Sequence, residues 1–243
     1  MASQCRQHLA VRTEPGRLAE ELKCTPLFQA LGDEGLDLLL PLLRERRYGA
    51  GETLFHEGDP VHWLFFLRAG AVKAYGLGDD GREHVLNILV AGDLFPHVGF
   101  EEQETYPATA QAIHDCETVL VSRRDVQELM LRHGEFALRY SSLLAEQLRD
   151  LQSRLRDLAG RDLQGRVALA LLKLLEKENC RYRDSCLLGH RRIHLTHQEI
   201  AGMVGASREA VSRVLSGFRQ DGCVASGPDG LVVVDRDKLL QTL

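Results

Sequence analysis

The sequence lacks the features that mark membrane-spanning, secreted and low-complexity proteins. No apolar run among its 243 residues approaches the roughly 18 to 20 residues of a membrane span. The first residues contain no apolar segment of the kind that a secretory signal requires. The six cysteines are scattered along the chain without close regular pairing, which favours a reducing compartment over a disulfide scaffold. We therefore expect a cytoplasmic protein.

The composition is that of an ordinary folded protein. With 44% hydrophobic residues, 22 glycines and 7 prolines, the chain is neither collagen-like nor disordered. The length suits one large domain or two ordinary ones. The formal net charge of -5 argues, taken by itself, against a nucleic-acid partner.

Regularly spaced glycine turns predict an antiparallel β domain. Four glycines follow one another at intervals of 12, 11 and 11 residues: Gly58, Gly70, Gly81 and Gly92. Turns at such spacing, between short β-branched and aromatic segments, are typical of a sandwich or barrel. Asp80-Gly81 fits a hairpin turn, since both residues tolerate a positive φ. We predict a β-roll over residues 47–122.

A narrow leucine seam predicts a dimerisation helix. The leucines are spaced 4, 3, 4 and 3 residues apart: Leu144, Leu148, Leu151, Leu155 and Leu158. Charged residues flank them, and this a/d pattern favours a two-stranded coiled coil. An amphipathic helix packed on its own domain would show a wider apolar stripe. We expect a parallel homodimer.

The segment that decides the functional prediction is THQEIAGMVGASREAVSRVLSGFRQDG, residues 196–222. Thr196 and Glu199 form a potential capping box, Gly205 suits a tight turn, and Ser207 can cap a second helix. Apolar positions on both helices predict mutual burial. On the first helix they are Ile200, Ala201 and Val204, and on the second Ala210, Val211, Val214, Leu215 and Phe218. Two short helices joined by a glycine turn are a helix-turn-helix.

The second helix carries polar residues suited to reading base edges. Arg208, Glu209, Ser212 and Arg213 fall on its outer, N-terminal face, the part of a recognition helix that enters the major groove. Arginine can donate twice to guanine, and glutamate can accept from cytosine N4. A glutamate would repel phosphate, so it favours base reading over sequence-blind binding. Apolar segments around Gly227-Pro228-Asp229-Gly230 predict a hairpin that makes the module winged.

The charge of this segment differs from that of the whole chain. Residues 191–223 contain five arginines and three acidic residues, a net charge of +2, which leaves -7 for the remainder. Because phosphate contact depends on the local surface, the acidic total does not exclude DNA.

These motifs together resemble the Crp/Fnr superfamily of bacterial transcription regulators. The resemblance runs from about residue 25 and comprises the glycine-punctuated segment FHEGDPVHWLFFLRAGAVKAYGLGDDGREHVLNILVAGDLF, the long helix and TxxEIAxxVGxSREAVSR. Glu209, Ser212 and Arg213 match the E-x-x-S-R pattern of the Fnr branch, and Arg208 is present as in the Crp branch. The resemblance implies base contacts from Glu209, Ser212 and Arg213 within TTGA or TGTGA half-sites, in an inverted repeat close to TTGA(T/C)…(G/A)TCAA. It also implies positions near the DNA backbone for Thr196, His197 and Gln198, a DNA-contacting cap at Ser207, and RNA polymerase as a partner.

The signal that the protein senses is left open. Cyclic-AMP members of the superfamily bind phosphate with Gly-Glu-Leu and a later Arg-Ser pair, whereas residues 92–108 here contain no arginine and several carboxylates. Carboxylates would repel a cyclic phosphate, so we do not expect cyclic AMP. The iron–sulfur ligand set is not reproduced either, since Cys5 and Cys24 are 19 residues apart with no third cysteine nearby.

Other sensors and one enzyme class remain as alternatives. Cys180, Cys186 and Cys223, with His190, could form a redox or metal site, although their spacing fits no standard zinc pattern. Family position points to Trp63, His97 and Tyr106 as an effector pocket, and heme ligation by His97 is open. The histidines of the β-roll raise the alternative of a cupin-like metal-dependent enzyme, but the H-x-H…E motif is absent.

The predicted fold is α+β: a double-stranded β-helix resembling a cyclic-nucleotide-binding domain, a long dimerisation helix and a winged helix-turn-helix. We expect domain boundaries at 1–134, 135–160 and 161–243. The predicted function is a non-enzymatic, sequence-specific transcription regulator, whose DNA affinity is modulated through the β-roll.

Overall fold

A computed structural model of the chain describes residues 15–23, 25–78, 83–98, 103–179, 192–193, 195–227 and 230–243. These fall into two compact units, Met1–Gly76 with Ile88–Leu148, and Leu77–Asn87 with Arg149–Leu243. The predicted α+β class is confirmed. Among the described residues, no helix is long and apolar enough to cross a membrane.

Short helices precede the β-roll, and the sequence did not locate the first two of them. They are α1 (Pro15–Lys23), α2 (Pro26–Gln29), α3 (Gly32–Leu39) and a one-turn 3-10 helix (Leu40–Leu42). Pro41 lies in that last turn. Leu22, Leu27 and Phe28 are buried in one core with residues of the neighbouring sheet. These helices are too short to reveal a helical period, and tertiary burial stabilises them.

Eight strands form the β-roll: β1 (Arg44–Tyr48), β2 (Thr53–Phe55), β3 (Trp63–Ala69), β4 (Ala71–Leu77), β5 (Glu83–Val90), β6 (Leu94–Phe95), β7 (Thr109–Ala112) and β8 (Cys116–Ser122). They make two four-stranded sheets, ordered β1-β8-β3-β6 and β2-β7-β4-β5, with antiparallel pairing in the registered pairs. The predicted β-roll is therefore confirmed and begins three residues earlier. The predicted turn at Asp80-Gly81 lies outside the described residues.

Strand β3 shows why the β-roll has cores on both faces of one sheet. Leu64 and Phe66 pack with the N-terminal helices, whereas Phe65 and Leu67 pack inside the roll between the two sheets. Side chains alternate between the faces of a strand. A strand covered on both faces therefore has a continuous apolar sequence.

Two helices follow the roll, α4 (Arg123–Arg132) and α5 (Gly134–Gly160). Ser122 begins α4 by accepting a hydrogen bond from the Asp125 N–H. The 27 residues of α5 span about 40 Å at 1.5 Å per residue. Phe136 and Tyr140 in its first turns are buried with the β-roll.

The C-terminal elements form the predicted winged helix-turn-helix. They are α6 (Leu163–Asn179), β9 (Arg192–Ile193), α7 (His197–Val204), α8 (Arg208–Gln220), β10 (Val224–Gly227), β11 (Gly230–Val233) and α9 (Arg236–Leu240). The wing hairpin pairs Val224 with Val233, and β9 adds a third antiparallel strand against β11. The predicted winged module is confirmed.

Candidate nucleic-acid interface

Local hydrogen bonds fix where the two helices of the motif begin. The Thr196 hydroxyl accepts from the Glu199 N–H at 3.2 Å, and the Glu199 carboxylate accepts from the Thr196 N–H at 2.6 Å. Gly205 ends α7 in the left-handed region, with φ 63°. The Ser207 hydroxyl accepts from the Ala210 N–H at 3.2 Å and begins α8. The predicted caps and turn are confirmed.

The predicted apolar face of the two helices is confirmed for most of its members. Six of these residues are buried: Ile200, Ala201, Val204, Val211, Leu215 and Phe218. Ala210 and Val214 are only half-buried, so their predicted burial is wrong. Each directly precedes a buried residue, and a step of one residue turns a side chain by about 100° around a helix, which places both at the edge of the contact.

The outer face of α8 presents the predicted base-reading side chains to solvent. Arg208, Glu209 and Arg213 are exposed, and Ser212 is half-buried. These four line a shallow open groove together with Ser216, Gly217 and Gln220. Sequence reasoning missed the last three, although Ser216 follows Ser212 by four residues and Gln220 follows Ser216 by four. That spacing is the helical signal that could have found them.

The first turn of α7 carries the residues expected near the DNA backbone. Thr196 and Gln198 are exposed, and His197 is half-buried. The guanidinium Nη2 of Arg219 lies 3.4 Å from the Nε2 of His197. Burial, and then the positive charges of Arg219 and Arg208, lower the pKa of His197 below its ordinary value. Sequence reasoning missed Arg219, because 22 residues separate it from its partner.

The predicted leucine seam lies on α5 and is exposed in the single chain. Leu144 is 36% exposed, Leu148 57% and Leu151 55%. The side chains of Leu155 and Leu158 lie outside the described ones. Large apolar side chains repeated on one helix at this exposure mark a surface suited to a partner.

Two family models match this chain. The one described as a cyclic nucleotide-binding domain matches residues 45–133, and the one described as a Crp-like helix-turn-helix domain matches residues 165–242. The chain is 33% identical to the cyclic AMP receptor protein of Thermus thermophilus, over 91% of this chain and 98% of that protein. It is 35% identical to the cAMP-activated global transcriptional regulator Vfr of Pseudomonas aeruginosa, over 78% of this chain and 88% of Vfr.

This chain belongs to the Crp/Fnr family.

A solved structure agrees with that assignment. FixK2 from Bradyrhizobium japonicum matches with a TM-score of 0.72 and 25% identity, covering 82% of this chain and 96% of FixK2. The predicted resemblance is confirmed, and the protein is a Crp/Fnr-type DNA-binding transcription regulator. Its relatives are regulators, so the prediction that it is not an enzyme is confirmed, and the cupin-like alternative finds no support.

Aromatic side chains fill the interior of this regulator's β-roll. The Tyr106 hydroxyl accepts from the Trp63 N–H at 3.3 Å and donates to the Trp63 carbonyl at 3.0 Å. The Phe55 ring stacks on Tyr106 with 3.9 Å between centroids, and Phe65 and Phe95 stack at 5.5 Å. Tyr106 is 4% exposed, so its side chain belongs to the core of the roll.

The other two members of the predicted effector pocket lie nearer the surface. Trp63 and His97 are half-buried, and the Arg44 guanidinium lies over the Trp63 ring at 4.7 Å. The structure joins Trp63 to Tyr106 through hydrogen bonds.

The described thiols are buried and weakly acidic. Cys116 and Cys223 are both 2% exposed. Burial raises the pKa of Cys116 to about 11, and burial followed by the Asp221 carboxylate raises the pKa of Cys223. Little thiolate is therefore present at neutral pH, although thiolate is the reactive form. Cys5, Cys24, Cys180, Cys186 and His190 lie outside the described residues, and within the described part no cluster of three or more His, Cys, Asp or Glu side chains could hold a metal.

Proposed function

We propose that this Crp/Fnr regulator binds a TTGA/TGTGA-type inverted repeat as a homodimer and that its β-roll modulates the affinity. The observation that carries the proposal is the exposed Arg208, Glu209 and Arg213 on the open groove of α8. The cap at Thr196 fixes where α7 begins, and the cap at Ser207 fixes where α8 begins.

The hydrogen-bonding groups of these side chains match those of the G·C pair in the TTGA half-site. TTGA contains a single G·C pair, which offers guanine acceptors on one strand and a cytosine donor on the other. Arg208 or Arg213 can donate to the guanine, and Glu209 can accept from the cytosine. Thr196, His197, Gln198 and Ser207 would contact the sugar–phosphate backbone, which fixes the register of reading.

Anisotropy of fluorescent duplexes tests the proposal. The purified chain is titrated at physiological salt against a duplex with the TTGA(T/C)…(G/A)TCAA repeat and against a scrambled duplex of the same composition. We expect about a thousandfold preference or more for the repeat. Equal affinities would reject sequence-specific reading.

The exposed leucines of α5 support the homodimer. A parallel coiled coil through Leu144, Leu148 and Leu151 would remove these side chains from water and, by the sequence register, those of Leu155 and Leu158 as well. In such a dimer, the two copies of α8 would lie about 34–36 Å apart, one turn of DNA. An inverted repeat is the DNA counterpart of that two-fold symmetry.

The aromatic interior of the roll supports a signal other than cyclic AMP. The arginine that holds the phosphate in cyclic-AMP members is missing from residues 92–108, and Tyr106 is bonded to the Trp63 backbone beneath the Phe55 ring. These residues do not fit a cyclic phosphate. The effector site is proposed at Trp63 and His97, with Tyr106 linking the site to the core.

Family resemblance also supports a proposal for the domain organisation and for a protein partner. Residues 1–134 form the sensory domain, 135–160 the dimerisation helix and 161–243 the DNA-binding domain. The DNA-bound dimer acts on RNA polymerase.

A further inference from the structure

The side chains of His197 and Arg219, beside the proposed base-reading face, form a pair whose geometry determines which imidazole nitrogen carries the proton. The Arg219 Nη2 faces the His197 Nε2 at 3.4 Å. A guanidinium can only donate hydrogen bonds, so the facing imidazole nitrogen is the unprotonated one. In the free protein the proton of His197 therefore lies on Nδ1, and Nε2 accepts from Arg219.

The surroundings of this pair contain an excess of positive charge. Arg219 faces the imidazole, and the charge of Arg208, also on α8, acts on it as well. On α7 itself, the nearest carboxylate, Glu199, is bonded to the Thr196 N–H. Within the described residues, the Nε of Arg219 is buried and has no hydrogen-bond partner. A proton added to His197 would place an N–H against the Arg219 N–H and break the pair.

A bound anion would instead favour the protonated form of His197. A phosphate oxygen between the two side chains accepts from Arg219 and from a protonated imidazole at once, and both bonds are charge-assisted. His197 lies in the first turn of α7, between Thr196 and Gln198, where the family resemblance places the DNA backbone.

We propose that His197 and Arg219 together bind one DNA phosphate in each half-site, that His197 positions Arg219 in the free protein, and that DNA binding takes up a proton at His197. This inference rests on the proposed function. It makes Arg219 an affinity residue outside the base-reading set, and it couples DNA affinity to pH.

The direction in which pH changes DNA affinity follows from the pKa of His197 in the free protein and in the DNA complex. In the free protein, burial and the two arginines hold the pKa of His197 below its ordinary value, whereas a phosphate would raise it. Affinity for DNA therefore increases as the pH falls from about 8 through the raised pKa of the complex. Each unit of pKa difference strengthens binding by about tenfold per site.

The test measures binding of the TTGA-type and scrambled duplexes at pH 8.0 and pH 6.0. The proteins are the full-length wild type, His197→Gln, Arg219→Lys and the matched control His62→Gln, which changes an exposed histidine of the β-roll. We expect about tenfold tighter wild-type binding at pH 6.0. His62→Gln should behave like the wild type.

The two variants separate charge from positioning. His197→Gln should lose the gain in affinity at pH 6.0, because glutamine cannot take up a proton, although its side-chain oxygen can still accept a hydrogen bond from Arg219. Arg219→Lys should bind more weakly at both pH values, because lysine keeps the charge and loses the planar fork.

A spectroscopic titration gives a readout independent of affinity. The imidazole signal that disappears in His197→Gln should titrate at a higher pH with DNA bound than without. An unchanged titration, or equal pH dependence of wild type and His197→Gln, would overturn the inference while leaving sequence-specific binding intact. Equal affinity for the two duplexes would instead reject the proposed function on which the inference rests.

Discussion

At the scale of single residues, the proposed base-reading surface consists of side chains that lie outside the protein's core. Arg213 is exposed on α8 and lines the groove with Glu209 and Ser212. We therefore expect Arg213 to contribute to DNA affinity rather than to the stability of the fold.

Arg213→Ala should weaken binding to the TTGA-type duplex by about 1–3 kcal/mol, with little change in Tm. Parallel anisotropy titrations and thermal unfolding measure the two quantities. Arg132→Ala is the matched control, because Arg132 lies on α4 in an exposed ion pair with Glu128 that contributes little stability. A similar affinity loss in both variants would mean that general charge, rather than base reading, is responsible.

Gly70 provides a residue-scale test of the β-roll. Its φ is 86°, and an added Cβ would lie 2.4 Å from the Asp115 carbonyl oxygen. Gly70→Ala should therefore lower the free energy of unfolding by about 2–4 kcal/mol.

Gly58→Ala separates the cost of the backbone conformation from the cost of the contact with Asp115. Gly58 has nearly the same φ, 84°, but nothing within 4 Å of an added Cβ. Thermal unfolding should show a loss of about 1 kcal/mol from backbone conformation alone. Equal losses in the two variants would contradict the role of the Asp115 contact.

At the scale of elements, the leucine seam of α5 leads to a prediction about assembly. Leu148→Glu and Leu151→Glu would each place a carboxylate in the coiled-coil seam, where burial of an unpaired charge is costly. Light scattering should give the mass of one 27.2 kDa chain for these variants and twice that mass for the wild type. Leu131→Glu on α4, whose leucine is 88% exposed, should remain dimeric. Unchanged dimers in the seam variants would refute the proposed interface.

The elements that sequence could predict are those defined by nearby residues. The helix-turn-helix is specified by caps three residues from their partners and by apolar spacing within 27 residues, so its turn and both helix starts follow from local chemistry. The β-roll is indicated by the regular spacing of its glycine turns.

The elements that sequence missed depend on distant partners. Helices α1 and α2 are stabilised by burial of Leu22, Leu27 and Phe28 against strands far along the chain, and four to nine residues carry no clear helical period. The pair of His197 and Arg219 has the same origin, since the spacing of 22 residues becomes a contact only when α7 packs on α8.

At the scale of the whole molecule, the charge distribution limits how this regulator holds DNA. The segment of residues 191–223 has a net charge of only +2, and the rest of the chain carries -7. Affinity from phosphate neutralisation alone is therefore modest, and base contacts must supply much of the preference for a particular site.

The filled β-roll predicts the response of the whole protein to cyclic AMP. Because Tyr106 is buried in the core of the roll with Phe55 stacked on it and residues 92–108 have no arginine, cyclic AMP should leave DNA affinity unchanged. Anisotropy titrations with and without the nucleotide measure this, and calorimetry checks for direct binding. A shift in affinity accompanied by binding heat would contradict the proposed sensory chemistry.

A double-mutant cycle across the interface decides whether α8 reads the G·C pair of the TTGA core. Wild type and Glu209→Ala are each titrated against the TTGA-type duplex and against a duplex in which that pair is A·T in both half-sites. The wild type should lose about 1–3 kcal/mol for each changed pair, and Glu209→Ala should lose clearly less, because its contact to the cytosine is already gone. An identical loss for the two proteins would mean that Glu209 does not read this G·C pair.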